Sequence, residues 1–185
     1  MSLLGESAQL QAACELIKDA TLQKFTIDIL QRAPESFWTI PASSSGKHHP
    51  EQSNGEGGLV RHILACLYMA RETFCMYSAT EEEQDCVIAA IIMHDIGKAM
   101  NEPHDIVCAQ ALRYARGKSE DSLLLKTIAG VRWHMGKWST GSTDCAYEER
   151  GPKRFPEDFT RIEQMVHLAD YYASRKRVNL SKLDI

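Results

Sequence analysis

The chain has 185 residues, 44% of them hydrophobic and 25% charged, which suffices for one well-buried domain and argues against two. A net charge of −4 and a pI near 6.0 exclude the strongly basic footprint of a duplex-binding protein, yet leave room for a small anionic substrate that needs only a few local cations. Neither a basic-then-apolar leader nor an apolar run of about 18 residues occurs, so the expected setting is cytoplasmic, without a membrane partner.

Apolar residues recur at spacings of three and four rather than alternating, which predicts an all-α fold, a single bundle of about six to eight helices. One or two helices are expected over 7–33, ending before Pro34. The stretch SFWTIPASSSGKHHPEQSNGEGG that follows has no apolar period and reads as a long loop, a feature often tied to function in compact domains. A helix over 58–76 carries Leu59, Ile63, Cys66, Leu67, Ala70 and Phe74 on one stripe. The next opens at Thr80-Glu81-Glu82-Glu83, a capping-box pattern, and ends at His94-Asp95-Ile96-Gly97. Helices over 103–117 and 120–135 precede an irregular stretch with Gly136, Gly141, Gly151, Pro152 and Pro156, and a last helix covers 158–175. The six cysteines, Cys14, Cys66, Cys75, Cys86, Cys108 and Cys145, form no CxxC pair and read as reduced thiols, most of them in helical cores.

Several polar residues fall on the apolar stripes, because positions three and four apart share a helix face. His62 follows Leu59 by three, Asp95 follows Ile92 and Ile91 by three and four with His94 beside it, His134 follows Val131 by three, and Asp170 follows Val166 by four. His104, three before Val107, sits in the first turn of a further helix. One inward histidine is usually a hydrogen-bonded core residue, and the dipeptide HD recurs at His104-Asp105, so neither signal decides alone. Four or five such groups on separate helices are another matter, since one or two divalent cations satisfy them together.

With His62 in GGLVRHI, His94-Asp95 in MHDIGK and Asp170 in HLADYYASR, the chain resembles the HD-domain metal-dependent phosphohydrolase superfamily through its ordered H…HD…D signature, over about 47–176. KHHP…GEGGLVRH also resembles the HD domains associated with certain bacterial exoribonucleases, and WHMGKW with VHLADYYASRKR is similar to a group of phage and bacterial HD proteins. The resemblance implies an HD domain at 47–176, with the N-terminal helices and loop of 1–46 packed on it and 177–185 as a tail. It also implies His62, His94, Asp95 and Asp170 as ligands of a first ion, with Asp95 as the bridge and His104 and His134 as the less secure pair that adds a second. One or two divalent ions are expected, of Mn, Fe, Ni, Co or Mg.

A mixed His/Asp set leaves an open position for water, so the expected reaction is attack of a metal-activated hydroxide on a phosphomonoester or phosphodiester. The substrate class is a nucleotide or other small phosphorylated molecule, or a short single-stranded nucleic acid. Asp95 and Lys98 are the candidate catalytic residues, Lys98 as a cation beside phosphate; the alternative for Lys98 is a solvated lysine at a helix end. His48, His49 and Arg175 are candidate substrate contacts, each with a surface role as its alternative. His167 is a candidate supporting donor, and Trp133, Trp138 and Tyr171 are candidate base-stacking groups. Two other classes stay open: a di-iron oxygenase built on the same six ligands, and a non-catalytic metal- or nucleotide-binding regulatory module. Oligomeric state is not legible.

Overall fold

The computed structural model describes residues 3–43, 49–100, 104–117, 119–139 and 154–176. Among them lie seven α-helices and no β-strand: α1 (Leu3–Ala13), α2 (Ala20–Gln31), α3 (Gly58–Tyr77), α4 (Glu81–Met93), α5 (His104–Arg116), α6 (Ser122–Trp133) and α7 (Arg161–Ala173). The all-α expectation is met. His48, Cys145, Gly141, Gly151, Pro152 and the expected tail 177–185 lie outside the described residues.

Helix starts follow local chemistry. The Thr80 side chain accepts from the Glu83 amide while the Glu83 side chain reaches back to the Thr80 amide, completing the box predicted from sequence. Thr160 and Glu163 repeat the device at α7, which therefore opens at Arg161, three residues later than the apolar pattern suggested. Asp19 and Asp121 cap α2 and α6 by accepting from backbone amides of the first turn.

Helix α4 is the axis of the fold. Every residue from Asp85 to Met93 is buried, so it shows no amphipathic contrast and must be covered on all sides. It packs against α2, α3, α6 and α7, α3 runs along α7, and α5 lies on α6. Leu59, Ile63, Ile91, Ile92, Val131, Met165 and Val166 fill the interior at 0% exposure, each side chain contributing about 1.5–3 kcal/mol through burial.

The described parts of the stretch between α2 and α3 are more ordered than its composition suggested. Short 3-10 turns occupy Glu35–Trp38 and Glu51–Ser53, Phe37 is fully buried, and the Leu59 and Gly57 amides donate to the carbonyls of Ile40 and Thr39 at 3.0 and 2.9 Å. Arg61 donates to the Gln52, Asn54 and Glu56 carbonyls and pairs with Glu6 at 3.1 Å. One guanidinium thus clips the 51–56 segment and α1 onto α3, immediately beside His62.

Candidate metal centre

Five helix ends meet at one place. His62 comes from the second turn of α3, Asp95 from the turn after α4, His104 from the first residue of α5, and Asp170 from the last turn of α7. His94 and His134 are the C-caps of α4 and α6. His62, His94, Asp95 and His134 are essentially inaccessible, and Asp170 and His104 keep 18% side-chain exposure on the pocket side.

His94 and His134 are held by the same device. Each ring turns back so that Nδ1 meets the carbonyl three residues earlier, Ile91 O at 2.7 Å and Val131 O at 2.6 Å. A carbonyl only accepts, so the proton sits on Nδ1, an otherwise orphaned helix-end carbonyl is satisfied, and the Nε2 lone pair faces the centre. The C-termini of α4, α6 and α7 also bring negative ends of helix dipoles together, an arrangement that favours a cation.

The donor atoms sort around Asp95. Its Oδ2 lies 3.5 Å from His62 Nε2 and 3.2 Å from His94 Nε2, while Asp170 Oδ1 is 3.1 Å from His62 Nε2 and 3.9 Å from His94 Nε2. Its Oδ1 faces the other way, 3.3 Å from His104 Nε2 and 3.6 Å from His134 Nε2, with those two nitrogens 3.3 Å apart. All six residues singled out from the sequence therefore converge, and the two oxygens of one carboxylate serve two separate sets. His94 Nε2 and Asp95 Oδ1 are fully buried and make no well-oriented hydrogen bond, a costly state for polar atoms unless something else coordinates them. Neutral imidazole lone pairs beside anionic carboxylates form a donor set that suits divalent cations.

The electrostatics agree. Burial holds His62 below its usual value, and burial with the neighbouring His94 and His104 pushes His134 down to about 3, so both rings are neutral lone-pair donors. His94 is raised, since Asp95 and Asp170 outweigh its burial. Burial opposes the charges of Asp95 and Asp170, but His94, Lys98 and His104 around the one and His62, His94 and His134 around the other hold both carboxyls well below their usual range. Lys98 donates to Asp95 Oδ2 at 2.6 Å and to the Ala42 carbonyl at 3.3 Å, and the two carboxylates keep it protonated against burial. It is an anchored cation at the pocket wall rather than a solvated helix-end lysine.

The expectation for His104 needed a short connection from Asp95, and Gly97 permits it. A Cβ at Gly97 would stand 2.8 Å from the His104 carbonyl oxygen and 3.3 Å from its Cβ, so only glycine lets α5 begin this close to the preceding turn. Spacing sets His104 three before Val107, in the first turn of its helix, but the buried stripe of α5 runs through Asp105, Ile106, Cys108, Ala109 and Leu112. Asp105, which as half of a repeated dipeptide carried no weight, is fully buried and pairs at 2.7 Å with Arg132, itself 2% exposed. That pair ties the start of α5 to the end of α6, which carry His104 and His134.

A pocket of about 520 Å³ opens onto this centre, lined among others by Lys98, His104, His134, Asp170 and Arg175. His49 lines it too, with Nε2 3.4 Å from Ser174 Oγ, which in turn donates to Asp170 Oδ1 at 3.2 Å. Burial, with His62 and Lys98 nearby, pushes His49 down to about 4. Trp138 and Tyr171 stack across the rim at 6.1 Å with planes 19° apart, and the Arg175 guanidinium covers the Tyr171 ring at 3.6 Å. Trp133 is not in this wall: it packs against Phe159 under Arg132 and Arg154. His167 lines the pocket while its Nδ1 donates to the His134 carbonyl at 2.8 Å. Gly136, at φ +58°, makes room for that ring, which a Cβ would meet at 2.3 Å.

An all-helical bundle whose helix ends gather the ordered H…HD…D residues defines the HD class, and residues 59–175 match the HD domain family. The chain belongs to the HD domain family, and this membership supports a place among metal-dependent phosphohydrolases. It is similar to proteins named 3'-5' exoribonuclease YhaM from Listeria monocytogenes, Listeria innocua and Listeria welshimeri, at 30% identity over 84 residues, which is 45% of this chain and 25% of each relative. The match thus spans about a quarter of those proteins' length. No solved structure gives a significant match. Among the described residues no helix is long and apolar enough to cross a membrane.

Proposed function

We propose that this protein is a phosphohydrolase with a two-ion centre, in which Asp95 bridges a first ion on His62, His94 and Asp170 and a second on His104 and His134. The observation that carries the reading is the split of Asp95: each carboxylate oxygen faces its own set of donors, at the wall of a pocket large enough for a small phosphorylated substrate. When bound, such ions supply Lewis acidity and an activated water.

The residues of the chain do the rest. Lys98, fixed by Asp95 and Ala42, presents a cation to a phosphate oxygen where charge builds during transfer. His49 reaches the same space from the loop, within reach of the substrate and of Ser174. The Trp138–Tyr171 stack under Arg175 and Lys137 offers an apolar face edged with positive charge, the surface on which a nucleobase stacks. The substrate is accordingly a nucleotide or the end of a short single-stranded nucleic acid. The likeness to proteins named exoribonucleases adds an RNA 3′ end to the candidates.

The test combines elemental analysis of protein purified without chelator with assays under Mn²⁺, Ni²⁺, Co²⁺ or Mg²⁺ on a bis-phosphoester, a phosphomonoester, nucleotides and a short RNA. Two ions per chain with turnover on a nucleotide or RNA is the expected result. One ion would remove His104 and His134 from the ligand set. No ion after reconstitution would overturn the proposal.

A further inference from the structure

Cys66 reads from sequence as a core thiol on the apolar stripe of α3, but its sulfur stands among the donors. It follows His62 by one helical turn, is fully buried, and has Sγ 3.5 Å from His62 Nε2 and 3.8 Å from His62 Nδ1. Donor atoms of His62, Cys66, His94 and Asp170 all lie within 4.8 Å of one another. Around a tetrahedral ion with bonds of about 2.0–2.1 Å to N or O and about 2.3 Å to S, neighbouring donors are roughly 3.3–3.6 Å apart. The edges His62 Nε2 to Asp170 Oδ1 at 3.1 Å, His62 Nε2 to Cys66 Sγ at 3.5 Å and His94 Nε2 to Asp170 Oδ1 at 3.9 Å bracket those values. His94 Nε2 is an independent pointer to a ligand here, being buried, aimed into the cluster and without a hydrogen-bond partner.

We propose that Cys66 is a thiolate ligand of the first ion, so that this half of the centre selects zinc, cobalt or ferrous iron over magnesium and manganese. The inference rests on the two-ion reading above and assigns the ion class within it. On binding, the S–H bond breaks, its proton leaves to solvent, and the sulfur lone pair forms the bond to the ion; no electron changes hands. A soft sulfur donor beside two imidazoles biases the site toward borderline ions, whereas Mg²⁺ and Mn²⁺ favour oxygen sets. Asp95 Oδ2, which also accepts from Lys98 at 2.6 Å, stands beside these four as a fifth donor, 3.5 and 3.2 Å from His62 and His94 Nε2, and Oδ1 remains directed at His104 and His134.

The deciding experiment loads the full chain with Co²⁺ and records near-ultraviolet and visible absorption beside the cobalt-to-protein ratio. The unsubstituted protein is expected to show a sulfur-to-cobalt charge-transfer band. Cys66→Ser should abolish the band while keeping cobalt and helical circular dichroism, and Cys108→Ser, whose thiol instead donates to the Met93 carbonyl, should retain it. Competition with Cd²⁺ should show at least tenfold weaker binding in Cys66→Ser. Stoichiometric cobalt without the band in the unsubstituted protein overturns the role of Cys66 and leaves the two-ion centre standing, as does a band that survives Cys66→Ser. Absence of cobalt binding overturns both. The unsubstituted spectrum is decisive by itself, so a serine variant that failed to fold would not rescue the proposal.

Discussion

At the scale of single residues, the proposed centre separates groups that would hold an ion from groups that would hold the holders. Asp95 faces both sets of donors and His94 belongs to the first, and His94 Nε2 and Asp95 Oδ1 have no other well-placed partners. His94→Ala or Asp95→Ala is therefore expected to weaken metal binding by more than the roughly 10–100-fold typical of losing a supporting group, and to abolish hydrolysis, while circular dichroism stays largely helical. Retention of stoichiometric metal in both variants would refute the assignment. The thiols make a second residue-level contrast. Cys75 is exposed, whereas burial pushes Cys14 and Cys86 up to about 11 and Cys108 up to about 12. At pH 8 the buried thiolate fractions are on the order of 10⁻³ to 10⁻⁴, against about a quarter for an unperturbed thiol. Peptide mapping after brief alkylation should find Cys75 modified and Cys14, Cys86 and Cys108 intact; equal labelling of Cys108 would show that α5 does not stay docked.

At the scale of elements, the structure rests on tertiary contacts that local pattern does not encode. Asp85, near the start of α4, accepts from the Lys18 and Asp19 amides at 3.0 and 2.7 Å and so fixes the entry to α2. Arg132 and Asp105, 27 residues apart, bury an ion pair between α6 and α5. Removing one partner strands a charge in the interior, so Arg132→Met is expected to cost about 3–5 kcal/mol in urea unfolding, with much of the loss recovered when Asp105→Leu is added. A cost below about 1 kcal/mol for the single change would mean that water reaches the pair. Gly97→Ala addresses position rather than stability. Its Cβ would press on the His104 backbone, and metal content is expected to fall from two ions to one; unchanged content would show that α5 can shift without losing His104. These features also mark what the sequence could carry. Helical spacing exposed the stripes and their inward polar residues, and the capping boxes were local and legible. The pairing of Asp105 with Arg132 and the clasp of Arg61 on Glu6 depend on how helices cross, which no single period states. The back-turned rings of His94 and His134 and the sulfur one turn after His62 are local contacts, but which way those side chains turn is not fixed by spacing.

At the scale of the whole molecule, the proposed centre would be a fastening point as well as a reaction site. Its six donors come from α3, α4 with its following turn, α5, the end of α6, and α7, so the complete set exists only when those helices are docked together. An ion that binds this arrangement and not the unfolded chain stabilises it by RT ln(1 + [L]/Kd), about 2.7 kcal/mol when the free ion stands at 100 times Kd. For a domain of this size that corresponds to a rise of about 5–11 °C in Tm. The competing contribution is the apo state's own cohesion: Lys98 neutralises part of the Asp95 and Asp170 charge and burial keeps the rings of His62 and His134 neutral, so the folded core is expected to hold without the ion and helicity to survive chelation. Thermal melts before and after chelation, with Co²⁺ or Zn²⁺ restored, should therefore show a cooperative apo transition and a higher one with metal, and Asp95→Ala should lose the difference. An equal rise in Asp95→Ala would place the stabilising ion elsewhere on the protein, and a chain unfolded without metal would mean that the apolar interior around α4 is too weak to hold the bundle by itself.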